Sequence, residues 1–417
     1  MSPAPGHAVF LQGMPSSFFR RVGECLAGQG WRVTRINLSA GDWLFWHDAR
    51  AASYRGRPGD WPAHLRRFFL EQAVTDLVLL GAYRHYHREA VALARELGIR
   101  VTVTDFGYFR PDWILLERLG PAGVPEFPRD PERLRGLARG GPAPDLAPRF
   151  ADSALRMAVG DLAQNFAPLL FRPFYPHYRR SDRRPHPVPY TLASGWRLLG
   201  NRLRRGRTHR QAAALHQDGR PYYLFPLQLA FDFQMVTGSP FRDMAEAIER
   251  VLVSFARHAP PASWLVLKEH PWDPGLPDWE RHVRKRARAL GLDGRIRYLR
   301  GGDLEALIAG AQGVVLVNST VGLRVLQGNR PLKALGRAIF DVPGLACQED
   351  LDAFWTEGRP PDPELRDGFF RALAATVQVR GVFFREPGLS EAVRATCQRL
   401  AEPDSAPADA AGREDVA

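Results

Sequence analysis

One stretch, Trp264 to Gly344, constrains the fold more than any other. It opens with the run WLVLKEHP and continues RIRYLRGGDLEALIAGAQGVVLVNSTVGLRVLQGNRPLKALG. Apolar runs of four to six residues each end in a polar turn, and helical spacing follows. A parallel α/β sheet requires this pattern, because helices cover both of its faces. Ligands of such sheets collect beyond the carboxyl ends of the strands. Two polar turns fall at such ends: Lys268-Glu269-His270-Pro271 and Asn318-Ser319-Thr320.

The second turn follows the strand Val314 to Val317 and opens a helix carrying Leu323 and Leu326. A helix N-terminus offers unpaired N–H groups and partial positive charge, so Ser319 and Thr320 there suit a phosphate; they equally suit an ordinary N-cap. At the first turn Pro271 stops the strand, and the imidazole of His270 with the ammonium of Lys268 stands where a nucleotide phosphate would lie. The two turns are about fifty residues apart in one Rossmann-like half.

The chain has 417 residues, which predicts two domains rather than one core. The net charge of +12 sits in clusters: Arg179-Arg180 with Arg183-Arg184, Arg202 to Arg210, and Arg281 to Arg288. Such a surplus favours anionic partners such as a nucleotide donor or an anionic membrane surface, unless it is simply an Arg-rich solvated surface. Nucleic acid is the third anionic possibility, but no helix-turn-helix, zinc-ligand or RNP pattern appears. Cys25, Cys347 and Cys397 have neither metal nor disulfide spacing, which points to free thiols in a reducing compartment. No secretion signal and no transmembrane run is expected, so membrane contact would be peripheral.

The first half alternates as well. His7 to Leu11 reads as strand, Phe18 to Gln29 as helix and Trp31 to Leu38 as strand, followed by a polar turn over Asn37 to Trp43. Ala73 to Leu80, Tyr86 to Leu97 and Arg100 to Thr104 form the next strand, helix and strand. This opening lacks the GxGxxG dinucleotide fingerprint. The last strand runs into Asp105-Phe106-Gly107-Tyr108-Phe109-Arg110-Pro111, an acid and an Arg at a strand end, which suits a catalytic corner. Arg110 suits a sugar carboxylate through two parallel hydrogen bonds, or else pairs with Asp112 or Glu117. Between about 121 and 220 the alternation fades. Leu192 to Leu215 reads as a basic helix whose Trp196, Leu198, Leu199 and Leu203 either lie on an anionic bilayer or pack on the domains. The expected divisions are 1–145, a bridging segment 146–220, a second α/β domain 221–385, a helix 386–401 and a disordered tail 402–417.

FLQGMPSSFFRRVGECLAGQGWRVTRINLSAGDWLFW, TDLVLLGAYRHYHREAVALARELGIRV, GYFRPDWILLE, PLQLAFDFQ, SPFRDM, KEHPWDPGL, GGDLEALI, VNSTVGL and FDVPGL occur in order over nearly the whole chain. Together they resemble the capsule polysaccharide β-Kdo transferases of the KpsS (LipB) type. The resemblance implies an α/β, GT-B-like fold, with two Rossmann-like domains whose parallel sheets face a central cleft. It implies a retaining, metal-independent glycosyltransferase of the cytoplasm, peripheral at the inner face of the cytoplasmic membrane. Its donor would be CMP-Kdo, with no further cofactor. The acceptor would be an anionic phosphatidylglycerol-type lipid, and the product would start the poly-Kdo linker of capsular polysaccharide. A second Kdo transferase and a capsule exporter are the implied partners, and no nucleic acid is.

By the same resemblance His270, Pro271, Ser319 and Thr320 hold the CMP with Lys268 and Asn318 beside them, and Gln228 and Asp232 line the donor site. Related transferases carry two adjacent acids before the Gly, whereas here Phe106 replaces the second. That leaves Asp105 as the nucleophile, or leaves a CMP-sugar-binding homologue without turnover. A different CMP-linked nonulosonate or a different acceptor is the nearest enzymatic rival.

Overall fold

A computed structural model describes residues 5–119, 127–140, 143–180, 186–229, 235 and 238–402. Along the chain its strands are β1 (His7–Phe10), β2 (Arg32–Asn37), β3 (Ala51–Ser53), β4 (Asp76–Leu80), β5 (Arg100–Phe106), β6 (Trp113–Leu119), β7 (Tyr222–Pro226), β8 (Trp264–Lys268), β9 (Ile296–Leu299), β10 (Gly313–Leu316), β11 (Leu332–Ala334) and β12 (Gln378–Arg380). They form two α/β units.

The first unit contains a seven-stranded sheet in the order β12-β6-β5-β4-β1-β2-β3. β1 to β5 are mutually parallel, while β6 and β12 run antiparallel at one edge. Alternate side chains of a strand go to opposite faces. Val9, Leu77, Leu79, Val101 and Val103 therefore meet Trp61, Leu65 and Tyr86 on one side. Ala8, Phe10, Val78 and Leu80 meet Phe18, Val22 and Phe383 on the other. Both faces are covered, which is why β1 and β4 read as unbroken apolar runs.

Four expectations are corrected in this unit. The polar turn after β2 is a short helix, Ala40–Phe45, because Ser39 and Asp42 form a reciprocal capping box that satisfies its first N–H groups. The strand expected over Arg100 to Thr104 is two residues longer. β5 continues through Asp105 and Phe106 and pairs with β6 in antiparallel register, Asp105 opposite Leu115. The chain beyond residue 376, expected to end the second domain and add a separate helix, belongs to the first unit: β12 joins β6, and the helix Gly388–Ala401 packs on Phe18–Gly28. Residues 127–145 group with the second unit and 146–179 with the first. Lastly, Cys25 and Cys397 form a disulfide between those two packed helices, leaving Cys347 as the free thiol. Their separation of 372 residues offers no spacing signal; only the helix pairing brings them together.

The second unit has an all-parallel sheet in the order β11-β10-β7-β8-β9. From β7 the chain winds outward to β8 and β9, then crosses back to β10 and β11. The order therefore reverses at β7, and the crevice at its carboxyl end is where open α/β sheets bind ligands. The core beneath holds Phe225, Leu267, Val315, Val251, Phe255 and Trp355. The basic segment is one long helix, Pro187–Asp218. The side chains of Leu198, Leu199 and Leu203 lie outside those described, as does the tail from 403. Among the described residues no helix is long and apolar enough to cross a membrane.

Candidate functional site

The carboxyl ends of β7, β8 and β10 are tied to one another before any ligand is considered. The Leu227 N–H donates to the Lys268 carbonyl at 2.8 Å, joining β7 to β8. The Gln228 amide donates to Asn318 Oδ1 at 3.0 Å, and the Asn318 N–H returns a bond to Gln228 Oε1 at 3.1 Å. Both side chains are buried, so this exchange clamps β7 to β10 at the switch point. Gln228 and Asn318 therefore shape the crevice floor. Asp232, expected beside Gln228, lies outside the described residues.

The turn after β8 is built by its acids. Glu269 is buried and takes both oxygens to Arg197 Nη2 at 2.6 Å; the Tyr298 hydroxyl donates to it at 2.8 Å. Asp273 accepts from the Gly275 N–H at 2.7 Å and from the Trp279 indole at 3.2 Å, folding the chain back just past Pro271. Gly275 has φ +78°, and a side chain there would press on the Arg197 guanidinium, so glycine both makes the turn and admits Arg197. Sequence reasoning singled out neither Glu269 nor Arg197. The signal was an acid at a buried strand end, which demands a cation, together with an adjacent Arg-rich helix able to supply one.

Two basic groups, Lys268 and His270, stand beside these acids at the end of β8. Lys268 is buried, and its ammonium has no hydrogen-bond partner among the described residues. Burial lowers its pKa, partly opposed by Glu269 and Asp303. His270 is pushed down to about 4, by burial first and then by Lys268. Its Nδ1 accepts from the Trp272 N–H at 3.2 Å, so the neutral ring carries its proton on Nε2 and offers a donor there. A buried cation and a neutral donor side by side suit a phosphate oxygen. Pro271 is exposed at the outer edge of the turn.

Across β7, Ser319 and Thr320 precede the helix Val321–Gln327. The Ser319 hydroxyl accepts from the Val321 N–H at 3.3 Å, while Thr320 stands at the N-cap position with no side-chain cap bond. Capping, the plain alternative for this pair, thus engages Ser319 only weakly and Thr320 not at all. Gly322 is required because a Cβ there would fall 2.3 Å from the Phe340 ring. That contact gives the FDVPGL stretch a structural part, a wedge beneath the Ser-Thr turn.

One strand further out, Gly336 donates to the Val317 carbonyl at 2.9 Å. Here Gly238–Pro240 and Ala334–Arg337, with Asp341, line a cleft of about 560 Å³. Arg337 is exposed at its rim and forms no ion pair among the described residues. Sequence reasoning missed this cleft, since SPFRDM and FDVPGL meet only through the fold.

Asp105 and Arg110 belong to the first unit. Asp105 Oδ1 accepts the Phe106 N–H at 2.7 Å. The Phe106 ring packs edge-on to Phe383 at 5.5 Å, and the Arg110 guanidinium lies 4.5 Å over its face. Asp112, considered as a partner for Arg110, is buried and accepts from Arg380 at 3.1 Å and from the Arg149 and Phe150 N–H groups.

Residues 75–384 match the sequence profile described as capsule polysaccharide biosynthesis protein. The chain belongs to this family. Among its capsule polysaccharide relatives, the Escherichia coli capsule polysaccharide export protein KpsS is 29% identical over 383 residues, covering 90% of this chain and 96% of that one. The capsule polysaccharide modification protein LipB of Neisseria meningitidis serogroup A is 29% identical over 393 residues, 91% of each chain. The solved structure of Thermosulfurimonas dismutans KpsC, a β Kdo 2,7 transferase, covers 95% of this chain and 99% of its own at 12% identity and a TM-score of 0.45. The profile of the capsule family includes every residue of the second unit's crevice described above and both residues of the Asp105–Arg110 corner.

Proposed function

We propose that this capsule polysaccharide biosynthesis protein is a metal-independent retaining glycosyltransferase of GT-B-like fold. It moves β-Kdo from CMP-Kdo to a phosphatidylglycerol-type lipid and thereby starts the poly-Kdo linker. The observation that carries the reading is the pairing of a buried Lys268 ammonium, without a hydrogen bond among the described residues, with a neutral His270 donor beside the switch point. Departure of CMP leaves negative charge on a phosphate, and a fixed cation and donor stabilise that charge more in the transition state than in the ground state. Thr320 and Ser319 supply further donors. The cleft of Ser239, Arg337 and Asp341 has the mixed donors, acceptors and apolar walls that suit the nucleoside end.

In this reading the Asp105 carboxylate attacks the anomeric carbon, the bond to the CMP phosphate oxygen breaks, and a lipid hydroxyl then displaces Asp105 with retention overall. Arg110 pairs with the sugar carboxylate. A second reading, a CMP-sugar-binding homologue without turnover, is favoured by Phe106, whose ring occupies the position of the second acid and is packed into the core.

One assay separates them: transfer from CMP-Kdo generated in situ to a fluorescent phosphatidylglycerol analogue, read by mass. A one-Kdo product in the wild type that vanishes in Asp105→Asn is the expected result. A silent wild type with Phe106→Asp active would establish the eroded homologue. Silence in all three with CMP unbound would overturn the donor assignment itself.

A further inference from the structure

The helix Ala154–Leu170 in the first unit has two apolar sides and only one is covered. Gly160, Gln164 and Ala167 face inward: a Cβ on Gly160 would meet the Pro15 carbonyl, Gln164 donates to Asp42 at 2.8 Å, and Ala167 is buried with Ala40 and Tyr175. At about 100° per residue, Leu155, Val159 and Leu162 lie on the opposite side. They are exposed, Leu155 at 75%. The same exposed surface continues to the helix end and beyond through Leu170 at 74%, Phe171 at 46% and Phe174 at 60%, the two rings 6.4 Å apart. Trp43 and Leu44, exposed on the neighbouring helix, flank the same Ala40–Ala167–Tyr175 junction. A helix that is apolar all round is stable only when something apolar covers its second face.

Charge identifies the cover. Across residues 155–179 the exposed Arg156, Arg172 and Arg179 face a single acid, Asp161, and Arg172 is set between the two Phe rings in sequence. Leu and aromatic side chains with Arg in excess over acid form the pattern of an element lying in an anionic bilayer surface: rings enter the acyl boundary and guanidinium groups meet headgroup phosphates. We infer that the exposed apolar ridge of residues 155–174 is the surface by which this protein docks on an anionic phospholipid bilayer. This deepens the lipid-acceptor half of the function proposed above and rests on it for the choice of a bilayer. It also places the membrane contact away from the Trp196 helix, for which the sequence left a bilayer and packing on the domains as alternatives.

The test is co-flotation of the full-length protein with vesicles of phosphatidylcholine alone and of phosphatidylcholine with phosphatidylglycerol, with CMP affinity measured on the same samples. Wild type is expected to float with the anionic vesicles only. Phe171→Ser/Phe174→Ser should weaken partition by about tenfold or more, since two half-exposed rings leave the acyl boundary. Arg172→Gln should weaken it about fivefold at low salt. Each variant should keep the wild-type melting temperature and CMP affinity, because these side chains stand outside the core. Trp196→Ser serves as the control and should float as wild type. Wild-type flotation by the double Phe variant, or detachment only in Trp196→Ser, overturns the inference. So does a wild-type dimer that the Phe variant dissolves, which would make the ridge a contact between copies. Loss of CMP binding in wild type with flotation behaving as expected would sink the donor reading and leave this one standing.

Discussion

Lys268 and His270 show how a residue proposed to bind differs from a structural one. A buried ammonium without a partner costs folding free energy, and its lowered pKa expresses that cost. Lys268→Met should therefore leave the urea midpoint unchanged or raised. The same change should weaken CMP affinity by about tenfold or more, the worth of a hydrogen bond to a charged group. Calorimetric titration with CMP checks this, and unchanged affinity would remove Lys268 from the site. His270 and His87 set the acid response. His87 is fully buried and pushed down to about 3, by burial and then by Arg84. Both rings are neutral in the folded protein where the unfolded chain protonates them, near pH 6.5. Their contribution is thus complete above about pH 6.5 and is lost as pH falls toward 4 for His270 and 3 for His87. Melting temperatures of wild type and His270→Gln between pH 7 and 4 should diverge, the variant falling less steeply.

At the scale of elements, the turn after β8 depends on a helix of the same unit. Arg197, on Pro187–Asp218, neutralises Glu269 at the end of β8 and so fixes the turn that presents His270. Arg197→Met would strand a buried carboxylate, which typically costs about 3–5 kcal/mol. The expected outcome is faster amide exchange across 264–273 and weaker CMP binding; Glu269→Gln added to Arg197→Met should recover much of the loss. Exchange in Arg197→Met matching wild type would show that the pair is not what fixes the turn. The Gln228–Asn318 exchange has the corresponding role between β7 and β10, two neutral amides holding strand ends that carry the donors.

For the whole molecule, the chain end is what completes the first unit. β12 extends its sheet, the helix Gly388–Ala401 covers one face, and the Cys25–Cys397 disulfide fastens that helix to Phe18–Gly28. A cross-link that closes so long a loop restricts the unfolded chain, with a typical worth of about 2–4 kcal/mol. Cys25→Ser, or reductant added to wild type, should lower the unfolding free energy by that amount and so bring the urea midpoint down. Cys347→Ser should not change it. Equal midpoints for Cys25→Ser and wild type without reductant would count against the bond.

Local chemistry was legible without a structure. Short apolar runs, each closed by a polar turn and a helical period, determine parallel α/β units, since only strands buried on both faces are so uniformly apolar. Lys268, His270, Ser319 and Thr320 were legible for a related reason: polar residues directly after such runs must fall at strand ends. Tertiary structure decided whatever depends on residues distant in sequence. Glu269 meets Arg197, Gly238 meets Arg337, and Cys25 meets Cys397 because elements pack, and no local pattern encodes those partners. The length of β5, expected to end at Thr104, was settled by the fold for the same reason. Whether a strand end turns into a helix or folds back as a hairpin is settled by the edge available to it, and here β6 lies beside β5 with β12 beyond it.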